Sequence, residues 1–151
     1  MRVDAASRFI AADPADVFRV FVDPALMLAW LPPEGMAGRF EEFDPEVGYR
    51  MVLRYLQPPE GGGKAGADED VAVVRRVRVE PSELIVEEID FPSDDPAFSG
   101  TMTMTWIFTE GDGGTYVDIE ATGVPAGIIP EDHAAGMASS LANLARLVEG
   151  G

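Results

Sequence analysis

The fold follows from the last stretch of the chain, PEDHAAGMASSLANLARLVEG (residues 130–150). Pro130 suits the first turn of a helix, Glu131 and Asp132 follow where the helix dipole favours acidic side chains, and Gly150 suits its end. Apolar residues recur at spacings of four, three and four, at Met137, Leu141, Leu144 and Val148. The stretch therefore predicts an amphipathic helix. About 19 residues at 1.5 Å each give a rod of roughly 28 Å, long enough to cross a sheet.

The middle of the chain, residues 38–122, carries the signals of strands. Residues 101–109 and 48–56 each alternate in polarity, so that every second side chain points to the same face of a sheet. The shared faces hold Met102, Met104, Trp106 and Phe108 in one segment and Tyr49, Met51, Leu53 and Tyr55 in the other. Four more strands are predicted at residues 39–44, 71–80, 84–91 and 115–122. Residues 57–70, rich in proline and glycine, predict a long, mobile hairpin loop.

The N-terminal part predicts one more strand and two short helices. Residues 2–12 alternate, and the pairs Asp13-Pro14 and Asp23-Pro24 each suit a helix start, with aspartate as the cap and proline next. The order is thus one strand, two short helices, about six antiparallel strands and one long helix. It predicts an α+β fold in which a curved antiparallel sheet wraps around the C-terminal helix, within one domain of residues 1–151.

Composition excludes several classes of function. The chain of 151 residues has 27 Asp and Glu against 11 Lys and Arg, a net charge of −16, which repels nucleic acids and anionic membrane surfaces. It has no cysteine, so disulfides and thiol nucleophiles are excluded. No apolar run approaches the roughly 20 residues that span a bilayer. Residues 1–12 carry charges instead of the apolar core of a signal peptide, and we expect a cytoplasmic protein.

No residue pattern of a known catalytic or metal site is present. The chain lacks the nucleophile elbow, the zinc-binding helix signature and the phosphate-binding loops. His133 is the only histidine, and its place in the first turn of the last helix predicts a solvated side chain. We therefore expect neither a metal nor a cofactor.

Two adjacent carboxylates on one predicted strand leave two interpretations open. Glu87 and Glu88 must point to opposite faces, and each shares its face with apolar neighbours. A hairpin with the preceding strand would bring Arg75 near Glu88. In one interpretation Glu88 is a polar anchor or a general acid/base in a cavity. In the other, which we favour, Arg75 and Glu88 form a salt bridge at a solvent-exposed edge of the sheet.

Four segments resemble a known family. The segments DPADVF (residues 13–18), residues 23–32 ending in Trp30-Leu31-Pro32, FDPEVGYR (residues 43–50) and GMASSLANL (residues 136–144) are similar in kind and order to the START-like superfamily, also called SRPBCC. Within it they resemble the branch named after the activator of a heat-shock-protein ATPase. The resemblance implies the helix-grip fold. Many members of that branch have tryptophan where this chain has Met137, which implies a different pocket shape.

The resemblance and the apolar faces together lead to three hypotheses of function. The leading one is binding of a small hydrophobic or aromatic molecule in a cavity between the sheet and the C-terminal helix, oriented by Tyr49, Tyr55 and Arg75. The predicted ligand-binding residues are Trp30, Tyr49, Met51, Leu53, Tyr55, Arg75, Met102, Met104, Trp106, Met137 and Leu141. The second is a polyketide cyclase or hydrolase-like enzyme that uses a cavity carboxylate, with Glu88 as a weak catalytic candidate. The third is a co-chaperone that stimulates a heat-shock-protein ATPase. Exposed strand edges would suit a homodimer.

Overall fold

The computed structural model describes residues 2–57 and 69–150 of the chain. Strand β1 (Val3–Ile10) leads into two short helices, α1 (Pro14–Arg19) and α2 (Pro24–Leu28). Six strands follow, namely β2 (Met36–Asp44), β3 (Gly48–Tyr55), β4 (Glu69–Glu80), β5 (Leu84–Asp90), β6 (Thr101–Gly111) and β7 (Gly114–Thr122). A one-turn 3-10 helix (Pro96–Phe98) precedes β6, and α3 (Pro130–Glu149) ends the fold. The predicted order of elements is confirmed.

Most of the predicted hairpin loop at residues 57–70 falls on residues 58–68, which lie outside the described part of the chain. Glu69 and Asp70, assigned to that loop from their polarity, already belong to β4. Their place in the strand follows from the register, because β3 pairs Arg54 with Glu69 and Leu53 with Asp70.

The seven strands form one antiparallel sheet in the order β1-β7-β6-β5-β4-β3-β2. Strands from β2 to β7 pair with their neighbours in sequence, and β1 closes the series beside β7. The register shifts once in β2 (Phe40/Glu42) and once in β4 (Arg76/Arg78). Such bulges bend a strand and increase its twist, which suits a sheet that curves around a helix.

The two short helices begin in different ways. In α2 the Asp23 side chain accepts from the backbone N–H groups of Ala25 and Leu26 at 3.0 and 3.3 Å, as predicted. In α1 the Asp13 side chain makes no such bond, so the predicted cap is wrong there. The backbone carbonyl of Asp13 instead accepts from Val17 N–H at 3.0 Å, so α1 begins without help from the carboxylate.

Polar side chains of α3 fix the helix to the chain that leaves α2. Ser140 Oγ donates to the Leu31 carbonyl at 2.7 Å, and Asn143 Nδ2 donates to the carbonyls of Trp30 and Pro32 at 3.2 and 3.1 Å. These bonds give partners to three consecutive carbonyls in the segment that follows α2. They set the position of α3 over the sheet.

Four aromatic rings form the centre of the core. Phe21 lies 4.6 Å from Trp30, 5.0 Å from Trp106 and 5.1 Å from Phe108, measured between ring centroids. Trp30 is fully buried, and its Nε1 donates to the Val20 carbonyl at 3.0 Å. Tilted and edge-to-face ring contacts of this kind are favourable beyond the area they bury.

Candidate ligand-binding interior

The predicted ligand-binding residues lie in the layer between the sheet and α3, with the exception of Arg75. Those of β3 and β6 share the inner face of their strands, and Trp30, Met137 and Leu141 approach from the helical side. All of them except Tyr55 belong to one contiguous hydrophobic core or pack against it, namely Trp30, Tyr49, Met51, Leu53, Met102, Met104, Trp106, Met137 and Leu141. Tyr55 occupies the same face of β3.

The backbone of α3 runs close to β1 and touches α1. Within residues 2–57 and 69–150, it makes no comparable approach to β3, β4, β5 or β6. Side chains must therefore fill the distance between the helix and the middle of the sheet. Flexible methionines do much of this, since Met51, Met102 and Met137 are only 4%, 2% and 5% exposed. Methionine suits such irregular space because its side chain is unbranched and adaptable.

Met104 is less buried than everything around it. Along β6 it lies between Met102 and Trp106, and across the sheet it pairs with Glu87 and Ala121. These four neighbours are at most 3% exposed, whereas Met104 is only partly buried. A side chain enclosed in this way stays accessible only if open space lies over it on the helix side. We call this space, bounded by Met104 and its four neighbours, the Met104 hollow.

Three depressions lie elsewhere on the part of the molecule that the structure describes. One of about 480 Å³ is lined by Met36, Tyr55 and their neighbours, and one of about 490 Å³ lies around Gly48 and Arg75. A third, of about 410 Å³, lies near Ala5 and Ile107. Met137 lines none of the three, so they are separate from the space that the sequence analysis placed beneath it.

A buried ion pair lies beside the Met104 hollow. Arg76 and Glu87 have side chains that are 0% and 2% exposed, and Arg76 Nε donates to Glu87 Oε2 at 3.2 Å. Trp106 Nε1 donates to the other carboxylate oxygen at 3.0 Å. Arg76 Nη1 also donates to the Pro45 carbonyl at 2.7 Å, while its guanidinium lies 5.6 Å from the ring centroid of Tyr49. Each charge is thus paired and hydrogen-bonded, as burial requires.

Burial raises the pKa of the Glu87 carboxyl above its ordinary value. The charge of Arg76 and the hydrogen bonds from Trp106 and Arg76 act in the opposite direction. Desolvation dominates because the carboxylate is removed from water on all sides.

Arg75 does not face the interior, so the expectation that it orients a ligand there is wrong. The interpretation that Glu88 enters a cavity is wrong for the same reason. The register does pair Arg75 with Glu88, with Nη2 and Oε1 3.6 Å apart, but their side chains are 46% and 42% exposed. Arg75 also donates to Asp90 Oδ2 at 2.8 Å. Both lie on the outer face of the sheet, because their neighbours Arg76 and Glu87 point inward. The favoured interpretation, a solvent-exposed salt bridge between Arg75 and Glu88, is the one observed, but it lies on the outer face of two interior strands and not at an edge of the sheet.

Sequence reasoning missed Arg76. The valines at residues 71, 73, 77 and 79 alternate as if they shared one apolar face with Arg75, whereas Ala72, Val74 and Arg76 point inward before the bulge and Val79 does so after it. The bulge at Arg76/Arg78 interrupts the alternation that the prediction assumed. The one available signal was Glu87 itself, which lies between Ile85 and Ile89 on their face of β5 and needs a buried partner.

Tyr55 and Asp70 form a polar pair near the start of α3. Tyr55 Oη donates to Asp70 Oδ2 at 2.7 Å, with Asp70 5% exposed. Burial, followed by this hydrogen bond, raises the pKa of the Tyr55 hydroxyl well above its ordinary value, and Asp132 in the first turn of α3 adds to the effect. Because Tyr55 also lines the depression next to Met36, this pair marks the border between the interior and the surface.

His133 is not solvated, contrary to the sequence-based expectation. Its Nδ1 lies 2.7 Å from Asp4 Oδ2, and because a carboxylate only accepts, Nδ1 carries the proton. Arg2 binds both oxygens of the same carboxylate, at 3.0 and 2.8 Å, and donates to the Ile128 carbonyl at 2.7 Å. The three side chains tie β1 to the start of α3. Among the described residues, no group of three His, Asp or Glu side chains is arranged to hold a metal ion.

Replacing Asp4 with asparagine should lower the free energy of unfolding by about 1 kcal/mol at about pH 7, since the partly exposed Arg2 guanidinium is screened by solvent. The hydrogen bond from Arg2, supported by His133, lowers the pKa of Asp4. A lowered pKa in the folded state gives stability that is present above the unfolded-state pKa and is lost as the pH falls through the folded-state pKa. The difference between wild type and Asp4→Asn should therefore shrink below about pH 4. Thermal melts across this range check it, and a pH-independent difference would contradict the assignment.

Comparison with known proteins now decides the family. The family model described as activator of Hsp90 ATPase homolog 1-like protein matches residues 11–149, nearly the whole chain. The chain belongs to this family. The resemblance inferred from the sequence motifs, and with it the helix-grip arrangement of one curved sheet around a terminal helix, is confirmed.

Solved structures of bacterial proteins agree with the assignment to the Hsp90 ATPase activator homolog family. A protein from Chromobacterium violaceum is 30% identical, covers 97% of this chain and 96% of its own, and superposes with a TM-score of 0.84. A protein from Silicibacter pomeroyi that carries the family's name is 18% identical, with 98% of both chains covered and a TM-score of 0.76. A third, from Mesorhizobium loti, is 23% identical over 98% of this chain and 97% of its own, with a TM-score of 0.70. At these lower identities, the proteins from Silicibacter pomeroyi and Mesorhizobium loti show only that they share the fold of this chain.

No curated protein matches the chain. Among the helices of this family member that the structure describes, none is both long and apolar enough to cross a bilayer.

Proposed function

We propose that the chain binds a small hydrophobic or aromatic molecule in the Met104 hollow, between the middle of the sheet and α3. The observation that carries the proposal is the partial exposure of Met104 at a position where its four neighbours are buried. Space of this kind at the centre of a core lowers stability because the atoms around it lose contacts, and an apolar guest that fills the space restores such contacts.

The residues around the hollow suit an apolar guest. Met51, Met102 and Met137 pack in the same core cluster and have no branched carbon to restrict their movement. A guest larger than the present space is accommodated when these side chains change rotamer. Affinity comes from apolar surface removed from water, at about 25 cal/mol per Å².

The Tyr55–Asp70 pair lies at the entrance of the proposed binding site. It lies between the inner face of β3 and the first turn of α3, and Leu53, its neighbour on the inner face, is only partly buried. Opening this pair breaks the Tyr55–Asp70 hydrogen bond and leaves the buried aromatic rings in place. We assign the mouth of the site to this end of β3.

Binding fits the interior better than the cyclase or hydrolase hypothesis does. An acid/base group needs a carboxylate oxygen within reach of the substrate. Glu88 lies outside, and both oxygens of Glu87 are already bound, one by Arg76 and the other by Trp106. Ligand binding requires no free carboxylate.

The binding test uses a neutral fluorescent ketone, 6-propionyl-2-(dimethylamino)naphthalene, and protein labelled with ¹³C in its methionine methyl groups. Adding the ketone should shift the methyl signals of Met104 and Met137, while that of Met27, which is 1% exposed and contacts Arg76, should move least. The Met104→Trp variant fills the hollow and should weaken binding at least about tenfold, as steric exclusion predicts. Met104→Leu conserves volume and serves as the matched control, with less than about a threefold change.

An unshifted Met104 methyl signal at saturating ketone would disprove binding in the hollow. So would equal affinity of the wild type and a folded Met104→Trp variant. If that variant does not fold, the methyl spectrum of the wild type still decides.

A further inference from the structure

Tyr49 is buried, but none of the residues that the structure describes forms a hydrogen bond with its hydroxyl. The residue is 6% exposed and lies on the inner face of β3, yet within the described residues its Oη makes no hydrogen bond. The other large polar aromatic groups of the interior behave differently, because Trp30, Trp106 and Tyr55 all donate to an acceptor in the protein. A buried tyrosine hydroxyl normally finds a partner.

The Tyr49 hydroxyl contacts space that water can enter. Every fully enclosed polar side-chain atom in the described part of the chain has a hydrogen-bond partner. Because the Tyr49 hydroxyl has none, it is not fully enclosed and must border open space. Its ring is held firmly, since Phe40 lies 5.1 Å away edge-on and Phe43 stacks at 5.8 Å.

The surroundings of this hydroxyl set the chemistry that it can recognise. Arg76 lies against the Tyr49 ring, and its charge is already neutralised by Glu87, so no free cation is offered to an anionic ligand. Burial, with the charge of Glu87 adding to it, raises the pKa of Tyr49 well above its ordinary value. The hydroxyl therefore keeps its proton and acts as a donor, and its complement is an uncharged acceptor.

The Tyr49 hydroxyl and the Met104 hollow lie on the same inner side of the sheet. Glu87 links them, because it pairs with Met104 across β5 and β6 and, through Arg76, lies beside the Tyr49 ring. β5 and β4 separate Met104 on β6 from Tyr49 on β3, so an apolar guest that lies over Met104 and extends across these two strands reaches this one hydrogen-bond donor.

We infer that the ligand is a neutral, mainly apolar molecule with one hydrogen-bond acceptor, such as a ketone, ester or ether oxygen, which accepts from Tyr49 Oη. The inference rests on the proposed function. It narrows the ligand class from any apolar molecule to one that carries an oxygen in this position, with Tyr49 as the specificity-determining residue.

The experiment compares two probes that differ in a single group. They are the naphthyl ketone used above and 2-(dimethylamino)naphthalene, which has the same rings and no carbonyl. The wild type should bind the ketone more tightly than the second probe. After allowance for the ketone's larger apolar area, the remaining ratio of the two affinities should be about five to ten. Tyr49→Phe should abolish that advantage and leave the affinity for the second probe unchanged. The emission of the bound ketone should also shift to shorter wavelength in Tyr49→Phe, because its carbonyl loses a donor.

Tyr49→Phe should not disturb folding, and its urea midpoint serves as the control for this. Phenylalanine preserves the ring contacts with Phe40 and Phe43 and breaks no hydrogen bond among residues 2–57 and 69–150, so the urea midpoint of Tyr49→Phe should match that of the wild type. The results distinguish failure of the inference about Tyr49 from failure of the proposed ligand binding. If both probes bind and Tyr49→Phe changes neither affinity nor emission, the inference is wrong and the proposed function stands. If neither probe binds the wild type, the proposed function fails, and the inference fails with it.

Discussion

Arg76→Met is expected to lower the free energy of unfolding by about 3–5 kcal/mol, because it leaves the buried Glu87 carboxylate without its cation. The side chains of the pair are 0% and 2% exposed, so water cannot replace the missing partner. Trp106 would still donate to one carboxylate oxygen, but one neutral donor does not offset the desolvation of a charge. Urea denaturation at about pH 7, with the slope checked against that of the wild type, measures the loss.

The double variant Arg76→Met/Glu87→Leu should recover most of this loss. Removing both charges also removes both desolvation penalties, and apolar residues of similar size often replace a buried pair at little cost. If the double variant is as unstable as the single one, the pair contributes through packing and the electrostatic account is wrong.

The single substitution Arg76→Met should also change how the free energy of unfolding depends on pH, because its deficit relative to wild type should be larger at neutral pH than in acid. Burial already raises the pKa of Glu87, and loss of Arg76 removes the main opposing influence. A raised pKa in the folded state gives stability that is fully present below the unfolded-state pKa and is lost as the pH rises through the folded-state pKa. The deficit of Arg76→Met relative to wild type should therefore be smallest near about pH 4 and grow towards neutral pH.

Trp30→Ala is the second substitution with a large expected effect, about 3–5 kcal/mol of unfolding free energy. Trp30 is fully buried, and Phe21 and Trp106 lie 4.6 and 5.5 Å from its ring. Its removal leaves a cavity at the contact of α2 with the sheet and leaves the Val20 carbonyl without its donor. Thermal and urea unfolding should both report the loss.

Trp30→Phe is the matched control for this prediction. It retains an aromatic ring against Phe21 and loses only the hydrogen bond and part of the volume, so its loss should be less than half that of Trp30→Ala. Equal losses for the two variants would mean that the Val20 hydrogen bond, and not the packing of the ring, holds this part of the core together.

The fold could be predicted largely from local patterns because each pattern has its own physical cause. The alternation of residues 101–109 matches the two-residue period of a strand, and β6 (Thr101–Gly111) forms there. The four-three spacing after Pro130 matches one face of a helix, and α3 (Pro130–Glu149) forms there. Aspartate-proline pairs correctly marked the starts of α1 and α2, although the Asp13 side chain does not act as a cap.

The candidate site was harder to predict because its polar residues depend on pairing between strands. Alternation alone left Glu87 and Glu88 equivalent, and only the curvature and register of the sheet place Glu87 inside. Arg76 points inward next to a bulge, which no propensity of its neighbours signals. His133 is partly buried because its ring hydrogen-bonds to Asp4, a residue 129 positions away in sequence.

The sequence alone determined the elements, their order, the apolar inner faces of β3 and β6, and the family, because these depend on periodicity and on short motifs within single segments. Only the tertiary structure decided which carboxylate is buried, which arginine neutralises it, and where space remains over Met104. These features arise when side chains from separate strands and α3 compete for the same volume, and that competition has no counterpart in any single stretch of the chain.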